Sequence, residues 1–240
     1  MISIIIPTKN EISVIEKTLM QFSACKRGSL ELIVSDGKST DGTIEAARKC
    51  GAKVVIYSGA KRQTIGMGRN AGAKVATGEY LAFFDADITV PEPEHFFEKC
   101  ISLFETRPDI LAFTTHLRVS PGLEHLSDRI IFSFISLIYR FQNNFLHLGA
   151  ASGECMIVRR SAFEKIGGFR ENLPVSEDQD LFRRLSKIGR TYFYSGLTVF
   201  HTGRRIRKVG WPRLLTSWML NNFYLWFFGR SFHSEWEEVR

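Results

Sequence analysis

The chain is expected to fold as an α/β protein around a mostly parallel central sheet, and three observations lead there. Apolar runs of strand length alternate with helix-patterned segments through the first ninety residues. Three of those runs end in loops or turns rich in Asp, Asn, Gly, Ser or Thr. The run Tyr80-Leu-Ala-Phe-Phe-Asp-Ala-Asp87 is apolar until it stops abruptly at two carboxylates. Strand–helix alternation of this kind implies right-handed βαβ units. Open sheets of that type place their ligands beyond the carboxyl ends of the strands.

Residues 2–6 form the first strand, and Asn10 or Ser13 is placed to cap a helix reaching about residue 24. Residues 30–35 form a second strand, followed by a turn rich in Asp, Gly, Ser and Thr, then a helix over 43–50 with Asp41 as its candidate cap. A strand over 53–57, a helix over 62–76 and the strand 80–84 complete this half. A helix over 94–106 is closed by Arg107-Pro108, and 110–119 is a strand opening a more antiparallel half. Further on, the pattern gives a strand over 155–159, a short helix over 161–166 ending at Gly167-Gly168, and a helix over 178–188 stopped by Gly189. Residues 191–194 and 198–201 read as two short strands. Gly66-Met-Gly-Arg-Asn-Ala-Gly72 imitates a dinucleotide fingerprint, but its last spacing is wrong and it precedes a strand rather than following one.

With 240 residues the chain is long enough to bury one large core. Its net charge of +7 favours an anionic partner: nucleic acid, a nucleotide or an acidic membrane surface. Cys25, Cys50, Cys100 and Cys155 form no C-x-x-C pair, which excludes a zinc knuckle or redox dithiol and fits a reducing compartment. The amino-terminal apolar stretch is too short for a signal peptide and has no basic start, so the catalytic body is expected to be cytoplasmic.

Two segments are too apolar for an ordinary surface. In 128–141, Arg129, Ser133, Ser136 and Arg140 form one narrow polar stripe on an otherwise apolar helix. Residues 211–229 hold three tryptophans, and Arg204, Arg205, Arg207, Lys208 and Arg213 cluster at their start. Basic residues beside a Trp-rich helix suit an interfacial anchor. Arg213 and Asn221-Asn222 argue against a free transmembrane span, which needs about 20 apolar residues. The alternatives are a core helix or a dimer interface. The expected division is a catalytic domain over 1–205 and a membrane-associated tail over 206–240.

Side chains at i and i+2 of an extended chain point the same way, so Asp85 and Asp87 address one object. Two hard oxygen ligands suit Mg²⁺ or Mn²⁺ with a phosphate-bearing partner. The loops Ile6-Pro-Thr-Lys-Asn-Glu11 and Ser35-Asp-Gly-Lys-Ser-Thr-Asp-Gly-Thr43 converge on the same sheet edge. Taken with Arg69-Asn70, Gly78-Glu79-Tyr80, Asp85-Ala-Asp87, Ser176-Glu-Asp-Gln-Asp-Leu181 with Arg184, and His201 before Gly203-Arg-Arg205, this set resembles family 2 glycosyltransferases. The match runs in family order over about residues 2–205.

That resemblance implies a GT-A type, Rossmann-like three-layer fold with added amphipathic interfacial helices. It implies that Pro7, Glu11 and Asp36 hold the nucleoside, that Asp85 meets ribose or metal-bound water, and that Asp87 and His201 ligate Mn²⁺ or Mg²⁺. Asp178 would be the general base with Glu177 supporting it, and Lys61, Arg69, Arg204 and Arg205 would lie along the diphosphate path. Other readings stand beside these. Glu177, Asp178 and Asp180 also suit the first turn of a helix dipole, His201 suits a structural histidine, and Arg204 and Arg205 suit membrane phosphates. Lys9 and Gly37 depart from the family pattern, and no Q-x-x-R-W string is present, which favours a single transfer over polymerisation.

The function expected is inverting transfer of a hexose, mannose favoured, from a GDP- or UDP-sugar to a lipid-linked or lipid-phosphate acceptor. The partners would be the nucleotide-sugar, that acceptor and an anionic membrane surface, with no nucleic acid, and the place the cytoplasmic face of the membrane. A sugar nucleotidyltransferase would need a Gly-rich loop after the first strand, which Pro7-Thr-Lys-Asn-Glu11 is not. A catalytically silent membrane scaffold would have no need of Asp85, Asp87, Glu177 and Asp178 together.

Overall fold

The computed structural model describes residues 1–22, 25 and 30–233. In chain order the elements begin with β1 (Ile2–Thr8), α1 (Ile12–Met20), β2 (Leu30–Asp36), α2 (Thr43–Lys49), β3 (Lys53–Ile56) and α3 (Ile65–Val75). They continue with β4 (Tyr80–Phe84), α4 (Pro93–Thr106), β5 (Ile110–Val119), α5 (Leu126–Asn144), β6 (Cys155–Arg159) and α6 (Arg160–Lys165). α7 (Glu177–Leu185), β7 (Arg190–His201), α8 (Arg204–Val209) and α9 (Trp211–Phe228) follow.

The seven strands form one sheet in the order β3-β2-β1-β4-β6-β5-β7. β3, β2, β1 and β4 are mutually parallel, as the βαβ alternation requires, and β6 runs antiparallel to both β4 and β5. Side chains alternate across the sheet, so β1 sends Ile2, Ile4 and Ile6 to one face and Ile5 to the other. The first face packs against α1, α2 and α4, with Phe132 of α5 and Leu214 of α9 completing the layer. The second packs against α6 and α7, with Ala73 and Val75 of α3 against it. Three layers result.

Several details differ from the sequence reading. Among the described residues, α1 ends at Met20; residue 24, where the helix was expected to end, lies outside them. Neither Asn10 nor Ser13 caps it. The Ile12 N–H donates instead to Asp41 and the Glu11 N–H to Thr43, so the second loop caps the helix that follows the first. The two expected strands after α7 are one strand, β7, whose register against β5 shifts between Thr115 and His116. Residues 204–209, read only as a basic cluster, form α8 between Gly203 and Gly210. The expected boundary at residue 205 therefore falls inside a helix. Ser136 is buried in α5 rather than part of an outer polar stripe.

The glycines of the false fingerprint have a packing role. Gly66, Gly68 and Gly72 are on the buried side of α3, and a Cβ on Gly72 would lie 2.4 Å from Ile5. Their small size lets α3 settle on β1 and carries Arg69 into the interior. Gly149, in the loop between α5 and β6, has φ of 74°, and a Cβ there would meet the Phe182 carbonyl oxygen at 2.2 Å. Gly149→Ala should therefore combine left-handed strain of about 1–2 kcal/mol with backbone overpacking of about 1–3 kcal/mol. A Tm lower by on the order of 10 °C in a thermal melt is expected, and an unchanged Tm would refute this packing.

Candidate active site

A cavity of about 1010 Å³ opens at the sheet edge where β1 and β4 end. Its lining includes Pro7, Thr8, Glu11, Lys61, Arg69, Asp85, Asp87, Glu154, Glu177, Asp178, His201, Arg204 and Arg205. Of the twelve residues selected from sequence, only Asp36 is absent from that lining. Asp36 is fully buried, and its carboxylate accepts hydrogen bonds from Thr8 and from the backbone and hydroxyl of Ser39. In this structure it holds the loop in shape, while its neighbours Thr8 and Gly37 face the cavity.

Arg69, expected along the diphosphate path, is enclosed among acids. It is 1% exposed, and its guanidinium donates to Glu177 at 2.8 Å, to Asp85 at 3.0 Å and to the Gly153 carbonyl at 2.7 Å. Topology explains the meeting. The antiparallel pairing of Phe84 with Cys155 sets Gly153 and Glu154 beside Asp85. The neighbouring Asn70 ties α3 to the Phe169 backbone in the segment before α7, at 2.9 Å in both directions. α7 then begins at Ser176, whose φ of 64° turns Glu177 and Asp178 toward the cavity.

The acidic first turn of α7 divides into three roles. Asp180 pairs with Arg184 at 2.7 Å and Arg170 at 3.4 Å and is structural. Glu177 pairs with Arg69. Asp178 accepts from the Gln179 N–H at 2.8 Å and faces the cavity. Burial, then the Glu177 charge, pushes the Asp178 carboxyl up to about 8, with Arg69 opposing. Burial likewise raises Asp85 to about 7, against the pull of Arg69 and with Glu154 and Asp87 adding to the rise. The Asp85 side chain keeps 38% exposure, but that surface faces the cavity, where low-dielectric walls still disfavour its ionised form.

Asp87 and His201 are brought together by a two-way backbone bridge between Thr89 and Phe200, at 2.7 and 2.8 Å. Asp87 accepts from the Thr202 hydroxyl and lies 3.4 Å from Arg204 Nε. Arg204 also forks onto Glu11 at 2.7 and 2.8 Å, an ion pair at the cavity wall. Arg205 and the exposed Lys61 are at the wall. His201 is buried, packs edge-on to Phe132 at 5.2 Å, and its Nε2 has no hydrogen-bond partner among the described residues.

The residues fit a divalent ion. No group of three or more His, Cys, Asp or Glu side chains is gathered as a metal site among the described residues. Mg²⁺ and Mn²⁺ sites typically take one or two protein ligands and complete their shell with water and substrate phosphate. The orphaned Nε2 of His201 and the Asp87 carboxylate supply such a pair. Burial and the neighbouring carboxylates raise Asp85 and Asp178, and a cation placed beside them would offset both effects.

Sequence reasoning overlooked Glu154, Tyr139 and Gln179. Gln179 donates to the Tyr139 hydroxyl at 2.9 Å, and Glu154 raises both Asp85 and Asp178. Only the charge of Glu154 beside the start of a strand could have marked it.

The description of glycosyl transferase family 2 matches residues 3–167. The chain belongs to that family. A PGL/p-HBAD biosynthesis glycosyltransferase of Mycobacterium tuberculosis is 27% identical over 190 residues, covering 75% of this chain and 67% of the relative. A 4,4'-diaponeurosporenoate glycosyltransferase of Staphylococcus haemolyticus is 31% identical over 161 residues, covering 65% of this chain and 41% of the relative. Among solved structures, a mannosyltransferase of Pyrobaculum calidifontis in complex with GDP-Man and Mn²⁺ superposes with a TM-score of 0.68 at 21% identity. That match covers 89% of this chain and 61% of the mannosyltransferase. Glucosyl-3-phosphoglycerate synthase of Mycobacterium tuberculosis, with Mn²⁺ and UDP, gives a TM-score of 0.59 at 20% identity, covering 91% and 78%. The fold is GT-A.

Removing the buried cation should expose what it balances. Arg69→Met leaves Glu177 and Asp85 facing each other without a counter-charge, a loss of about 3–5 kcal/mol. Adding Glu177→Met should recover part of that loss. Urea unfolding of both variants checks this, and an Arg69→Met protein as stable as wild type would contradict the bridge.

Proposed function

We propose that the protein is a membrane-associated, metal-dependent, inverting glycosyltransferase. It moves a hexose, mannose favoured, from a GDP- or UDP-sugar to a lipid-linked or lipid-phosphate acceptor. The observation that carries this reading is the joining of the D-x-D acids and a high-pKa Asp178 in one cavity, beside the loops after β1 and β2. Family membership and the nucleotide-sugar complexes of structural neighbours support the donor class. Family membership also disfavours a nucleotidyltransferase.

A divalent ion bound at Asp87 and His201 would neutralise the leaving diphosphate and act as a Lewis acid. The loops after β1 and β2 would seat the nucleoside. Asp178 would remove the proton of the acceptor hydroxyl during in-line attack, inverting the anomeric centre. Glu177, fixed by Arg69, keeps α7 and hence Asp178 in place. If the acceptor is a phosphate, it arrives ionised and needs no base.

The outer faces of α5 and α9 support the membrane assignment. Phe134, Leu137 and Phe141 of α5 and Met219, Phe223 and Phe227 of α9 are each more than half exposed. No helix among the described residues is long and apolar enough to cross a membrane. Two exposed amphipathic helices with Arg129, Arg140, Lys208 and Arg213 nearby suit the surface of an anionic bilayer. The cytoplasmic face is the proposed location.

Incubation with a panel of nucleotide sugars and Mn²⁺ should release GDP or UDP from at least one; release from none would sink the reading. With a hydroxyl acceptor, Asp178→Asn should cut kcat by about 10²–10⁴-fold while nucleotide binding persists. The base must be ionised, so kcat/KM should rise with pH through a midpoint near 8 and level above it. The raised folded pKa also means that the native state is penalised increasingly between pH 4 and 8. Asp178→Asn should therefore melt above wild type at pH 8, the gain vanishing near pH 4.

Leu137→Ser/Phe223→Ser should reduce flotation with phosphatidylglycerol vesicles while leaving donor hydrolysis intact. Undiminished flotation would remove these faces from the membrane contact.

A further inference from the structure

We propose that Arg183, held against Trp226, is the anion-binding residue of an acceptor subsite. The acceptor is then an anionic amphiphile, with its hydrocarbon chain between α5 and α9 and its oxyanion on Arg183. This rests on the reading of the cavity as a glycosyl-transfer site and specifies the chemistry of the acceptor.

The cavity has two chemically distinct parts. The charged part holds Asp85, Asp87, Asp178 and Arg69. The other is walled by apolar residues of two helices, Ile131, Phe134 and Ile138 from α5 and Leu215, Trp218 and Met219 from α9. Such a continuous charged-to-apolar lining matches a molecule that is polar at one end and hydrocarbon at the other.

Arg183 lines the same cavity, on α7 five residues after Asp178, and contacts Trp226 and Leu225 of α9. Its guanidinium carbon lies 4.0 Å from the Trp226 ring centroid. Among the described residues its guanidinium makes a single hydrogen bond, to the Leu225 carbonyl, and it is long at 3.5 Å. Among the described residues it joins no ion pair. The other cavity arginines near the acids are committed: Arg69 to Asp85 and Glu177, and Arg204 to Glu11 and Asp87.

A guanidinium has five donors in a fixed fork, and stacking on an indole fixes its plane while leaving its edge available. A partly buried cation with a single weak hydrogen bond is a natural seat for an oxyanion. Glu154, Glu177 and Asp178 make the rest of that wall acidic. Arg183 is what lets an anion approach it. Five residues of helix rise about 7.5 Å between backbone positions, which leaves room for the held oxygen and the attacking oxygen to be different atoms of one acceptor. Arg183 and Trp226 both lie beyond the residues matched by the family.

Calorimetry of the full chain with farnesyl phosphate, oleate, farnesol and inorganic phosphate, each below its aggregation limit, tests this. Wild type should bind both anionic amphiphiles at least tenfold more tightly than farnesol or inorganic phosphate. Arg183→Met should erase that preference without changing farnesol binding, Arg183→Lys should retain part of it, and Trp226→Leu should weaken it. Arg190→Met, at the exposed Asp109 pair, should leave it unchanged. Equal wild-type affinity for farnesol and farnesyl phosphate would overturn the proposal. So would inorganic phosphate binding as tightly as the amphiphiles, which marks a free-anion site. If Arg183→Met does not fold, an undiminished preference in both Arg183→Lys and Trp226→Leu overturns it equally. Stabilisation by GDP or UDP with Mn²⁺ is read in parallel and should be indifferent to Arg183. Its absence in wild type would fault the proposed function, whereas loss of the amphiphile preference alone faults only this subsite.

Discussion

The Arg69 guanidinium is the constraint on which the site depends. It is fully enclosed, and it joins the end of β4 through Asp85, the approach to β6 through Gly153 and the start of α7 through Glu177. Enclosing ions is expensive, and the Coulombic return is large only when hydrogen-bond geometry is good. Three short contacts satisfy that condition. Without Arg69, the acids that make the site chemically useful would repel one another out of position. With it, one cation faces Asp85, Glu177, Asp178 and Glu154; burial first, and then the neighbouring carboxylates, keep Asp85 and Asp178 raised against its pull.

The cluster around Arg69 is locally acidic, although the cavity wall as a whole also carries Lys9, Lys61, Arg62, Arg183, Arg204 and Arg205. A divalent cation held at Asp87 and His201 would add positive charge beside Asp85 and favour its ionised form. Asp178, farther along the acid wall on α7, retains Glu177 as its close neighbour. The two raised acids can therefore be tuned separately, although one arginine braces both.

What the sequence disclosed follows the reach of its signals. Asp85, Asp87 and the Glu177–Asp178 pair were legible because each stands at the end or start of an element, where period and composition change. The parallel half of the sheet was legible for the same reason. Arg69 was found as a functional cation but its enclosure was not foreseen, since nothing local shows that Gly66, Gly68 and Gly72 let its helix sink onto β1. The Arg204–Glu11 fork joins residues 193 positions apart, and no periodicity records such a pair. Asp36 was recognisable as a motif residue, yet the same loop needs its carboxylate for Thr8 and Ser39. α8 escaped notice because six mostly basic residues carry too few apolar positions to display a helical period.

The two apolar helices owe their joint role to one buried carboxylate. Asp128, in the first turn of α5, accepts hydrogen bonds from Arg207 of α8 and from the Trp211 indole at the start of α9, the latter at 2.7 Å. Arg207 holds Asp128 well below the usual carboxylate range, with burial opposing and the His125 N–H assisting. The joint therefore keeps its charge at pH values where an ordinary carboxylate begins to protonate. Phe132 packs against Trp211 at 5.2 Å and against His201 at the same distance, linking that joint to the metal-facing wall. Helices separated by more than sixty residues are thus fixed beside one cavity, with α5 anchored to β5 and β7 and α9 leaning on Arg183 of α7. An acceptor threaded between them would meet a preset angle of approach to Asp178 rather than one assembled on binding. That geometry costs less ordering entropy at the moment of binding, and it makes Asp128 a positioning residue for a site it does not touch.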